Sequence, residues 1–213
     1  MAIDSGTSTK RRATPARRDV SSHLNKAEAA TLARLDAKTR GRKTEKGYIV
    51  GADGKIIAES VKAGKRSAAF HQSDLSKAKD SIITHNHPNA ELSGTMAGRI
   101  GLPLSPTDIR QAIKYDAKEI RAVTPNYTFS IRRPAGGWPK IPDDAYRKYE
   151  SDFRQQNHSY SNDKSFKYKG RKDEDLFGRL GEAVDRGNVG IQSSMLRDFA
   201  NKHGLVYSRA KTS

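Results

Sequence analysis

The stretch Ile82-Ile83-Thr84-His85-Asn86-His87-Pro88, followed later by Ser105-Pro106-Thr107-Asp108, decides how this chain is read. Ile82 to Thr84 form a short apolar, β-branched run, the composition of a buried strand. Successive side chains on a strand alternate between faces, so His85 and His87 point the same way. Pro88 ends the strand because it has no N–H to give to a ladder. Ser105 has the chemistry of an N-cap, Pro106 suits the first helical position, and Asp108 falls at N3. Two imidazoles and one carboxylate make three protein ligands, the number in a catalytic zinc site that keeps its fourth position for water.

Upstream of this stretch, Asn25 to Lys38 reads as a helix in which Asn25 and Glu28 have the spacing of a capping box. Glu45 to Glu59 reads as a hairpin: Tyr48, Ile49 and Val50 are strand formers, Ala52-Asp53-Gly54 is a turn, and Lys55 to Ala58 return. Ser67 to Phe70 fits a short strand and Ser73 to Lys79 a helical turn. Residues 89 to 104 form a long loop without periodicity, of the kind that is usually functional or disordered.

Downstream, Ile109, Ala112 and Ile113 mark the buried face of the helix that Ser105 caps. Glu119 to Val123 and Tyr127 to Ile131 form a second hairpin across Thr124-Pro125-Asn126. Pro134 to Pro139 break the pattern, with Trp138 as a packing plug. Asp144 to Gln156, Asp173 to Asp185 and Ser193 to Lys202 are expected helices, Asn157 to Lys172 a polar loop, and Leu205 to Tyr207 a closing strand.

Hydrophobic residues make up 34% of the 213, which limits the chain to one compact core with solvated extensions. The net charge of +16 favours contact with a polyanion such as nucleic acid. Residues 1 to 22, with Lys10-Arg11-Arg12 and Arg17-Arg18, are expected to be a disordered basic arm suited to that contact. Tyr160, Phe166 and Tyr168 among lysines carry the weaker pattern of a single-strand binder. Cysteine is absent, so a metal has to be held by His, Asp or Glu, and disulfides are excluded. No apolar run approaches a membrane span and no secretory signal is visible; a cytoplasmic protein is expected.

His85-Asn86-His87-Pro88 followed by Ser105-x-x-Asp108 resembles the JAMM (MPN+) metalloprotease signature. His-Asn-His-Pro is also similar to the RadC-like members of that superfamily. More loosely, the chain is similar to JAMM-like domains of phage head or internal proteins, which would place it in a host cytoplasm or a virion. The resemblance covers about residues 43 to 133. It implies that His85, His87 and Asp108 hold Zn2+, that Ser105 stabilises the developing oxyanion, and that an early-strand Glu is the general base. Glu45 matches that Glu best, with Glu59 as the fallback. The loop of residues 89 to 104 is longer than the family's usual spacer. The tripeptide His-Asn-His is not the ββα-metal unit of HNH nucleases, whose ligands are spread along the chain.

These residues predict an α/β fold: a mixed β-sheet flanked by helices, with the JAMM/MPN-like, cytidine-deaminase-like core that the resemblance implies. The expected divisions are an arm over 1–22, an N-terminal helix over 23–42, a core over 43–135 and a basic helical extension over 136–213. The expected activity is zinc-dependent cleavage of a peptide or isopeptide bond in a protein or peptide substrate. The alternative is a nucleic-acid-associated virion or DNA-processing protein that uses the same fold as a binding module. Ser105-Pro106-x-Asp108 is equally explained as a helix start, so the histidine pair is the distinctive half of the motif.

Overall fold

The computed structural model describes residues 23–63, 68–88, 102–162 and 190–211. The expected arm, most of the loop after Pro88 and the helix over 173–185 lie outside the described residues. The fold is α/β, with a mixed six-stranded sheet and five helices among the described residues.

The chain begins with α1 (Lys26–Thr39), where Asn25 and Glu28 form the expected capping box. Strands β1 (Gly47–Val50) and β2 (Ile56–Glu59) follow as an antiparallel pair. A small hairpin of β3 (Lys62–Ala63) and β4 (Ala68–Ala69) leads to α2 (Gln72–Leu75) and β5 (Ile82–Asn86). Next come α3 (Pro106–Lys114), β6 (Glu119–Val123), β7 (Tyr127–Arg132), α4 (Asp143–Asn162), α5 over 190–202 and β8 (Val206–Lys211). The sheet order is β2-β1-β5-β6-β7-β8, with β5 and β6 parallel and every other pair antiparallel.

Alternation along the strands divides the apolar residues between two cores. On one face, Leu32 and Leu35 of α1 meet Tyr48, Val50 and Ile82. On the other, Ile49, Ile83, Ile120 and Ile131 pack under Ile109 of α3, Tyr149 and Phe153 of α4, and Leu196 and Phe199 of α5. Each such large apolar side chain, once fully buried, contributes about 1.5–3 kcal/mol. β5 and β6 are covered on both faces, so all ten of their residues are buried. Residues after 136 therefore contribute to the same apolar core as the central strands. Trp138 packs against that core, and its indole N–H donates to the Ala117 carbonyl at 2.9 Å.

Several expected boundaries move, two of them for a reason visible in the chain. The expected loop from Asn157 begins as helix, because α4 continues to Asn162; no glycine or proline between 143 and 162 interrupts its hydrogen-bond ladder. Glu45 does not open β1. The ladder to β5 starts at Gly47, opposite His85, and leaves Glu45 in the connection from α1.

The tip of the first hairpin seats α1. Thr31 Oγ1 donates to the Gly54 carbonyl at 2.7 Å, and Asn25 Nδ2 donates to the Ala52 carbonyl at 2.7 Å. Gly54 has φ +77°, and a Cβ there would lie 2.7 Å from the Ala27 backbone. Gly54→Ala combines left-handed strain with displacement of α1. It is expected to lower stability by about 1–3 kcal/mol, read as a shift of the urea midpoint at constant slope.

Among the described residues, no helix is long and apolar enough to cross a membrane.

Candidate metal centre

His85 lies at the end of β5, one residue before the last, with Gly47 of β1 on one side and Ala122 of β6 on the other. His87 follows the strand, and its backbone N–H still bonds to the Val123 carbonyl at 2.9 Å. The continued pairing keeps the two-residue alternation, so both rings emerge on one face as expected. Their Nε2 atoms lie 2.9 Å apart. Zinc–nitrogen bonds of about 2.0 Å in a tetrahedral site would set two such atoms about 3.3 Å apart.

The second nitrogen of His87 is also committed. Its Nδ1 lies 2.7 Å from the Leu102 carbonyl oxygen, which can only accept. The proton is thereby placed on Nδ1, and Nε2 is left with its lone pair directed at His85. A backbone carbonyl behind the imidazole is the partner that metal-binding histidines usually have.

Two carboxylates lie beside the pair, of which Glu45 joins both histidines with ligand atoms in mutual reach while Asp108 is near His85 but outside that set. Asp108 Oδ1 is 3.5 Å from His85 Nε2, and Glu45 Oε1 is 3.9 Å from the same atom. Glu45, His85 and His87 each offer a ligand atom within 4.8 Å of the others. Glu59 is elsewhere, half-exposed and paired with Lys46 at 3.1 Å. Between the two carboxylates considered for the base, the fold brings Glu45 to the histidines.

Asp108 arrives because α3 starts where Ser105 caps it. Ser105 Oγ accepts from the Asp108 N–H at 3.3 Å and donates to Asp108 Oδ2 at 2.7 Å; the Ser105 N–H donates to the same Oδ2 at 2.7 Å. One carboxylate oxygen closes the capping box while the other faces His85. The helix start and the approach to the histidines are therefore the same feature. Ser105 spends its proton on Asp108 and so orients that carboxylate in this arrangement.

The electrostatics suit a cation. Among the described residues, Glu45 and Asp108 have no lysine or arginine at ion-pair distance; the imidazole beside both is that of His85. Burial pushes the His87 imidazole below its ordinary pKa, reinforced by His85 and opposed by Asp108 and Glu45. Burial pushes Asp108 upward, but the two imidazoles and the hydrogen bonds from Ser105 outweigh it and hold its carboxyl below the usual range. His87 is thus favoured neutral and Asp108 ionised, the protonation states that a metal ion requires of them. Two carboxylates gathered on two imidazoles leave negative charge for a divalent cation to balance. The donor set of nitrogen and oxygen ligands is one that zinc accepts.

The histidine pair, Glu45 and Asp108 were all readable as candidates; the Leu102 carbonyl and the side chain of Asn86 were not. Asn86 carries one signal, since asparagine is depleted in strands and this one is wholly buried in β5. His23 pairs with Glu119 at the opposite end of β6 from the site. His71 is exposed at the start of α2, and His203 packs on Phe199.

Comparisons with protein-family models, with curated proteins and with solved structures found no match to this chain.

Proposed function

We propose that the chain is a zinc-dependent peptidase or isopeptidase with a JAMM-like core. The observation that carries this reading is the convergence of His85 and His87, at 2.9 Å, with Asp108 and Glu45 at 3.5 and 3.9 Å from His85 Nε2. His85, His87 and Asp108 would hold the metal. When bound, zinc supplies Lewis-acid activation of a water and of the scissile carbonyl.

The chain's own residues supply the remainder. Glu45 accepts a proton from the attacking water as its oxygen bonds to the carbonyl carbon. The same carboxyl then returns that proton to the leaving nitrogen as the C–N bond breaks. Ser105 holds Asp108 in place through Oδ2, and the Leu102 carbonyl holds the His87 ring.

Glu45→Gln separates base from ligand. The variant is expected to retain stoichiometric zinc and to lose hydrolysis of quenched mixed-peptide and lysine-branched peptide probes by about 10²–10⁴-fold. Asp108→Asn should lose the metal instead. Zinc lost from Glu45→Gln and retained by Asp108→Asn would exchange the two roles, and zinc absent from the unaltered protein would remove the enzyme reading.

A further inference from the structure

Glu45 has to be aimed without the help of a strand. It lies two residues ahead of β1, where no ladder fixes which side of the chain its carboxylate takes. Asn86, between the two histidines, holds the backbone on either side of Glu45, while the Lys46 side chain is tied to Ser60 and Glu59. Asn86 Oδ1 accepts from the Lys46 N–H at 2.7 Å, and its Nδ2 donates to the Thr44 carbonyl at 3.2 Å. Its backbone N–H donates to the Lys46 carbonyl at 3.2 Å. One side chain therefore grips the backbone immediately before and immediately after Glu45. It is fully buried, so water does not compete for these bonds.

The residue type follows from the task. The grip needs one donor and one acceptor on a stem of one methylene, and among neutral side chains the asparagine amide provides both. Aspartate lacks the donor, and threonine's single hydroxyl cannot span both backbone groups. On β5 the side chain of residue 86 points away from the face that His85 and His87 share. It is consequently free to hold the neighbouring segment while the histidines hold a metal.

Resting on the proposed metal centre, we infer that Asn86 is the positioning residue for Glu45: it clamps the backbone on both sides of that residue and so sets its carboxylate beside the histidines. The alternating tetrapeptide would then carry two functions on two faces, metal ligation by 85 and 87 and orientation of the base by 86.

A double-mutant cycle on the full chain tests this, with Zn2+ affinity read by competition against a chromophoric chelator. A correctly placed Glu45 carboxylate strengthens cation binding, so Glu45→Gln and Asn86→Ala are each expected to weaken it by about tenfold, at the lower end for groups outside the ligand set. Because Asn86 acts through Glu45, the double variant should be no weaker than either single one. Asn86→Ala losing the same factor in both backgrounds, or losing nothing in the unaltered one, overturns the inference. Should Asn86→Ala fail to give the far-ultraviolet dichroism of the parent, Asn86→Thr carries the same cycle with the same expected non-additivity. A parent protein that takes up no zinc overturns the metal centre itself, a result distinct from additive losses in a zinc-binding parent.

Discussion

Protein in which His87 is replaced by alanine is expected to emerge from dialysis without stoichiometric zinc and to show no hydrolysis above that of buffer. Changing a group behind a metal ligand typically costs about 10–100-fold in affinity, and removing a ligand should exceed that. Burial also pushes the His87 imidazole below its ordinary pKa, the direction that favours the neutral ring a metal would bind. Replacing His87 would leave His85 and Asp108 of the proposed ligand set, with the second imidazole missing. The fold should survive, because His87 lies beyond the strand and its polar contacts outside the cluster are its own backbone N–H to Val123 and its ring to Leu102. Elemental analysis beside far-ultraviolet dichroism reads both halves of the expectation. Stoichiometric zinc in this variant would mean that the metal is held elsewhere.

The second large effect is on stability and lies away from the histidines. Glu28 is fully buried where α1 meets the sheet. Its carboxylate accepts from the Asn25 N–H at 2.9 Å and from Lys118 Nζ at 2.7 and 2.8 Å. One group thus closes the helix cap and ties α1 to the residue that precedes β6. Glu28→Ala removes both and strands a Lys118 ammonium that is 28% exposed. Fully buried pairs broken on one side lose about 3–5 kcal/mol; with Lys118 partly hydrated, a loss of about 2–4 kcal/mol is expected on the same scale. Glu28→Gln keeps an acceptor for the Asn25 N–H and gives up the charge, so its loss should be the smaller. Urea unfolding of both variants reads the order, and equal losses would assign the effect to the ion pair with Lys118 alone.

Much of the sheet was legible because the signals are local. The hairpin at Ala52-Asp53-Gly54, the apolar strand before the histidines and the capped helix at Ser105 each occupy a few adjacent residues, and each forms about where expected. The helix at Asn157 and the start of β1 were misjudged for complementary reasons. Polar residues without a Gly or Pro can remain helical when a helix is already established, and strand-forming residues do not reveal which of them will find a partner. The α/β class and the helix caps therefore needed only short-range patterns.

What the amino-acid sequence determined by itself is the presentation of the histidine pair. Two residues at a spacing of two on an extended segment share a face. It also determined the carboxylate at N3 of a capped helix, since Ser105, Pro106 and Asp108 specify that start locally. Only the tertiary structure decided that α3 docks with Asp108 Oδ1 toward His85, that Glu45 rather than Glu59 reaches the same atoms, and that the Leu102 carbonyl backs His87. These meetings join segments distant in sequence, and no periodicity carries across a loop. They depend on how the strands register and on one buried asparagine side chain holding a connection that has no ladder of its own.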